Sequence, residues 1–308
     1  MIAALFTTVL FSISAISATR LTKTLGGVAA NFWRIILSTI ILGILCFCVG
    51  RGFGGAAMLT FFWSGVVGFG IGDSALYQAL PRLGARLSLL LVHCLAAPFG
   101  ALVEWLWLGT ILDAWQLMFG ALTLVGVALA LAPDHRQSVT ALEWSTGILF
   151  GVIAGLGQGG GAVLSRKAYS IATTAGQDVS GITAAFERIW GGVLVATVAY
   201  VLWRWHARSR NETKNELAKA RSISSVAPWL VLTSLAGPVL GVACYQHALR
   251  SVPIGVVLPV VALTPLVVLP ISMGLEGERP SRRSLLGGFL AVGGVVGLLW
   301  VRGKLISG

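Results

Sequence analysis

The sequence predicts an all-α membrane protein of ten transmembrane helices, built from two inverted five-helix repeats. Three observations lead there. The 308 residues are 56% hydrophobic and 11% charged, with a mean hydropathy of +0.87; a soluble globular chain carries about 25% charged side chains. Apolar runs close to the roughly 20 residues that span a bilayer core recur along the whole chain. Segments of the first half return in the second, from Tyr77 onward at a spacing of about 168 residues. So little polar surface cannot coat a water-exposed particle, and the disordered, collagen-like and disulfide-rich secreted classes are excluded on the same figures. The net charge is +11, but the basic residues lie mainly between apolar runs. Their anionic partner is therefore the membrane surface, not nucleic acid.

Taken in order, helices are predicted over residues 2–19, 29–49, 58–80, 86–108, 115–132, 144–164, 183–205, 227–249, 254–274 and 284–301. The first could pass for a signal peptide, with small residues near Ala15 and Ser17, but no positive region precedes it, so it reads as a spanning helix. Connections are short except 206–226, a basic stretch (Arg208, Arg210, Lys214, Lys219, Arg221) read as a loop extending the seventh helix. Within that loop, Asn211-Glu212-Thr213 fits a glycosylation sequon by chance. In the sixth helix Gly147, Gly151, Gly155 and Gly159 recur every fourth residue, a ridge that lets another backbone approach closely. The same run holds Gly155-x-Gly157-x-x-Gly160 with Asp178 beyond it, a formal dinucleotide fingerprint. That fingerprint needs a preceding strand, and here it sits inside an apolar run. The four cysteines, Cys46, Cys48, Cys94 and Cys244, lack metal or redox spacing and read as small buried apolar residues.

The repeats define the organisation. Phe32-Trp33-Arg34-Ile35 returns as Phe186-Glu187-Arg188-Ile189, and Tyr77-Gln78 with Arg82 returns as Tyr245-Gln246 with Arg250. Pro98 is echoed by Pro265, Leu108-Gly109-Thr110 by Glu276-Gly277-Glu278, and Gly120 and Gly126 by Gly288 and Gly294. The units run 1–132 and 144–308, joined by 133–143. Five helices is an odd number, so the second unit enters the membrane inverted, the organisation of secondary transporters whose substrate site lies near midplane between the halves.

The helix count, the Arg early in the second helix of each unit, the Pro in the fourth, and the stretch LEGERPSRRSLLGGFLAVGGVVGLL at 275–299 resemble the EamA-type drug/metabolite transporter superfamily. The first-half run Gly72-Asp73-Ser74-Ala75-Leu76-Tyr77-Gln78-Ala79-Leu80 through Leu108-Gly109 is similar to the same pattern. The resemblance implies a ten-helix exporter or facilitator of small metabolites with cytoplasmic termini. One departure is visible: the Gly-Glu closing the fourth helix stands at Gly277-Glu278 but reads Gly109-Thr110 in the first unit.

Ionisable residues within spans are costly and so point to function. Asp73 lies deep in its helix with Phe62, Val66, Phe69 and Tyr77 on one predicted face, a stripe suited to an amphipathic or cationic substrate or else to helix packing. His93, Ala97, Gly100 and Glu104 form a small, polar stripe predicted to face the cavity, where His93 relays protons or serves as a structural His. Glu104, beside Trp105 and Trp107, reads as a solvated helix end in preference to a gating or relay acid. Arg34 and Arg188 either contact headgroups, or each guards one mouth of the pathway or pairs with an acid such as Asp73 or Glu187. Gln158 and the pairs Tyr77-Gln78 and Tyr245-Gln246 complete the substrate-binding candidates, with interhelix bonding and loop capping as the alternatives.

The reading that follows is a non-enzymatic secondary transporter of small amphipathic metabolites such as amino acids, working by alternating access with proton coupling through Asp73. The alternative is a translocase or binder of lipid-linked headgroups; an intramembrane enzyme on Asp73, His93 and Cys94 is the third reading. The expected partners are a small-molecule substrate, the lipid bilayer and a second copy in a homodimer, with no nucleic acid, cofactor or metal. The expected location is multi-pass in a bacterial inner membrane. Lys and Arg concentrate in the odd-numbered connections, which by the positive-inside rule puts both termini outside, against the resemblance.

Overall fold

The computed structural model describes residues 1–50, 52–131, 140–209, 223–268 and 282–307. Seven helices are long and apolar enough to cross a membrane: α1 (Ile2–Leu25), α2 (Gly27–Cys48), α3 (Met58–Ala85), α4 (Leu87–Leu108), α6 (Ala141–Thr174), α7 (Gly181–His206) and α8 (Val226–Ser251). Three shorter apolar helices, α5 (Ala114–Ala130), α9 (Ile254–Val268) and α10 (Leu285–Val301), complete the described set. The basic connection, the Asn211 sequon and Glu276-Gly277-Glu278 lie outside the described residues.

Two boundaries differ from the sequence reading for identifiable reasons. The third helix runs through Pro81 and breaks at Gly84, whose φ of +73° belongs to the left-handed region that glycine enters without steric cost. The sixth extends ten residues beyond Leu164 because its polar residues find partners on other helices: Ser165 meets Ser64 at 2.8 Å and Arg166 meets Glu104 at 2.9 Å. It opens on a capping box, Thr140 accepting from the Glu143 amide.

Glycine decides how closely the helices approach. Gly147, Gly151, Gly155 and Gly159 form the predicted ridge, packed on Leu83, Leu91, Leu95 and the carbonyl of Ala96 along α3 and α4. A second row on the same helix, Gly157 and Gly161, lies against Gly72 and Gly68 of α3. These glycines belong to one continuous helix, so the dinucleotide fingerprint is a packing pattern. Between α5 and α10, Gly126 nests on Ala291 while Gly294 nests on Thr123. Without a hydrophobic drive between helices in lipid, such close van der Waals contact is a main source of association.

The two sequence units interdigitate. Phe32 of α2 stacks on Tyr200 of α7 at 4.2 Å, and Gly65 of α3 sits under the backbone of Arg188 in α7. Thr8 and Ser12 of α1 donate to Val260 O and Thr264 O of α9 while also bonding their own i−4 carbonyls. Both α3 and α8 contain a π-helical segment, Val66–Asp73 and Leu235–Val239, at positions about 168 residues apart. Cys46 is buried as expected, but Cys48 is exposed at the end of α2, and Cys94 and Cys244 are half-buried.

Candidate functional site

The π-helical segments build the site. Each turn of π-helix holds more residues than an α-turn, so side chains beyond it rotate relative to the preceding face. Phe69, Asp73 and Tyr77 consequently reach a central cavity of about 90 Å³, whereas Phe62 and Val66, predicted on the same stripe, do not line it. The facing wall comes from α8, whose π-helical Gly237-Pro238 and following Tyr245 line the same space. Phe11 and Ser14 of α1, His93 of α4, Gln158 of α6 and Arg188 of α7 close it.

The polar groups fall into three sets. In the first, Arg34 donates from Nη2 to Asp73 Oδ2 at 2.5 Å and to Asn31 Oδ1 at 2.9 Å, with its guanidinium 4.7 Å from the Tyr77 ring centroid. Arg34 is 4% exposed; the headgroup-contacting reading is therefore overturned, because its counter-charge lies inside the protein. In the second, Gln158 Nε2 lies 3.3 Å from His93 Nδ1, and His93 Nε2 is buried without a hydrogen-bond partner. The third contains Arg188, likewise 4% exposed, with Phe69 under its guanidinium at 5.2 Å and no ion pair among the described residues.

Other candidates go elsewhere. Gln78 accepts from Arg82 Nη1 at 3.0 Å and lines a separate crevice of about 400 Å³ with Asn31 and Ser74. Gln246 is fully buried and donates to Ser165 Oγ at 3.2 Å. Of the His93 stripe only His93 lines the cavity; Gly100 packs on Ile254 and Leu258 of α9. Cys94 points its thiol toward Leu124 O at 3.9 Å, away from the cavity, so the trio of the enzyme reading is not assembled.

Glu104 corrects the solvated-end reading. It is 1% exposed, accepting from Arg166 Nε at 2.9 Å and from the Ile254 amide at 2.7 Å, while Arg166 also donates to Leu249 O at 2.9 Å. A buried carboxylate survives because a cation and an N–H both satisfy it. Beyond it, Arg250 pairs with Asp178, Gly54 N–H donates to Glu187 at 3.1 Å, and Ala56 N–H donates to Gln177 at 2.9 Å. These ties cross-link α4, α6, α7, α8 and α9 around the turns at 52–57, 175–180 and 252–253. Arg166 and the loop acceptors escaped the sequence reading because the sixth helix was ended before them; a charge so close behind an apolar run was the available signal.

A bundle of apolar helices enclosing a charged and aromatic cavity defines a multi-pass membrane protein. The EamA-like transporter family matches the chain twice, over residues 1–132 and 145–300, and the chain belongs to that family. It is thus a membrane transporter of small molecules within the drug/metabolite transporter superfamily. One solved crystal structure covers 98% of this chain and 98% of its own at a TM-score of 0.69 and 16% sequence identity, which shows a shared fold. No curated protein matches the sequence.

Proposed function

We propose that the chain is a secondary transporter that carries a small amphipathic metabolite, such as an amino acid, by alternating access, coupled to protons through Asp73. In this reading all ten helices cross a bacterial inner membrane, the units 1–132 and 144–308 are related by an inverted repeat, and a homodimer is the expected assembly. The observation that carries the transport reading is the cavity itself. It is lined by Tyr77 and Tyr245 from corresponding positions of the two units, with Asp73 as the one carboxylate among the described lining residues. The side chain of Asp73 is 25% exposed, enough for a cavity water or a substrate group to reach it. Protonation would cancel its attraction to Arg34 and free that guanidinium. A ligand that binds one state of the bundle better than the other then shifts their populations.

The test is a metabolite uptake and efflux screen in proteoliposomes with and without a pH gradient, repeated with Asp73→Asn. The variant keeps the side-chain shape and removes its charge change. Expected is membrane-inserted protein whose transport is lost or no longer responds to the gradient. Transport at the normal rate with unchanged pH dependence removes Asp73 from the coupling mechanism.

A further inference from the structure

Two arginines from corresponding positions face one cavity, and their surroundings differ. Arg34 is neutralised by Asp73 and held by Asn31. Arg188 is as deeply buried, yet the described residues give it no hydrogen bond and no ion pair; its Nε, like that of Arg34, is a buried donor without a partner. Three further unpartnered polar atoms belong to residues lining the same cavity: Arg34 Nε, Tyr245 OH and His93 Nε2. Gln158 Nε2 faces Nδ1 at 3.3 Å, so in the tautomer protonated on Nε2 the ring accepts from Gln158 and presents a donor to the cavity. Among the described lining residues the charged side chains are Arg34, Arg188 and Asp73, which sum to one excess positive charge.

A cation buried within a membrane is costly unless an anion meets it, and an orphaned donor adds to that cost. We infer that Arg188 is the anion subsite of the transported solute: its guanidinium takes the carboxylate of a small amphipathic monocarboxylate, while Phe11, Leu76, Leu80 and Val242 receive the apolar part. The planar guanidinium fits a carboxylate with two parallel hydrogen bonds. A monoanion balances the single excess charge; a phosphate dianion does not. Gly68 belongs to the same device, because a Cβ there would lie 2.6 Å from Arg188 Nη2 and push the guanidinium aside. The inference rests on the transport reading of this cavity and names the chemistry of what is carried.

The test uses 4-methylpentanoate, its neutral isostere 4-methylpentanamide, and inorganic phosphate as probes of the purified protein in neutral-lipid nanodiscs, followed by thermal stabilisation. Expected is stabilisation by the carboxylate at concentrations at least about tenfold below those needed for the amide, the range of one charge-assisted bond. Arg188→Gln should abolish that preference and Arg188→Lys keep part of it. Gly68→Ala, which retains the charge but displaces it, should also reduce the preference, so the inference stays testable where Arg188→Gln does not fold. Equal stabilisation by acid and amide, a preference retained in folded Arg188→Gln, or phosphate acting in place of the carboxylate overturns the subsite. Loss of the carboxylate effect in phosphatidylglycerol nanodiscs assigns Arg188 to a lipid headgroup and overturns it too. Counterflow of labelled 4-methylpentanoate separates the two readings. Binding through Arg188 without movement refutes transport and keeps the subsite; movement with unchanged acid-over-amide preference in Arg188→Gln does the reverse.

Discussion

Glu104→Met isolates the polar tie between α4, α6 and α9 while keeping the side-chain volume and its methylenes. The native carboxylate accepts from the Ile254 amide at 2.7 Å and from Arg166 at 2.9 Å. A hydrogen bond to a charged group contributes about 1.5–3 kcal/mol. Arg166 is 20% exposed and also bonded to Leu249 O, so its ion pair is discounted to about 1 kcal/mol. Losing both gives an expected destabilisation of about 3 kcal/mol. Glu104→Gln retains an acceptor for Ile254 and should cost only about 1 kcal/mol, the ionic part alone. The assay is denaturant titration in mixed micelles, with Arg166→Met and the double variant completing a cycle whose coupling should be about 1 kcal/mol. Stability of Glu104→Met within 0.5 kcal/mol of the parent, a shift of roughly measurement size, or Gln as damaging as Met, would refute this account.

Three further outcomes are expected. Gly161→Val should destabilise by about 1–3 kcal/mol through overpacking, because a Cβ there comes within 3.0 Å of Gly68 Cα and 3.1 Å of Ser64 O, neither of which can swing away. Gly288→Ala, with nothing within 4 Å of its added Cβ, should instead be neutral or stabilising by up to about 1 kcal/mol; comparable losses in the same titration would sink the packing argument. In a chain with its native cysteines replaced, Ile111→Cys and Thr140→Cys should react with an impermeant thiol reagent from opposite sides of the membrane. They flank α5, so labelling from one side removes that crossing and the inverted repeat with it.

Much of this protein is local in origin. Runs of apolar residues announce spanning helices because backbone groups in lipid must be satisfied within the helix itself, and the i, i+4 glycines of α6 marked a packing ridge before any partner was known. The repeated Arg and Tyr positions pointed to a central site, and Asp73, Phe69, Tyr77, His93, Gln158, Arg188 and Tyr245 all line the cavity. Tertiary structure decided which charges are compensated. Arg34 and Arg188 look alike in sequence, but among the described residues only Arg34 forms an ion pair, with an acid 39 residues away; Glu104 became a buried anchor because Arg166 arrives from 62 residues away. The π-helical segment turned Asp73 toward the cavity and left Phe62 outside it. Periodicity reports a side chain's position on its own helix, whereas the energy of a buried charge depends on its distance to groups on other helices, which the packing of glycines against backbones sets.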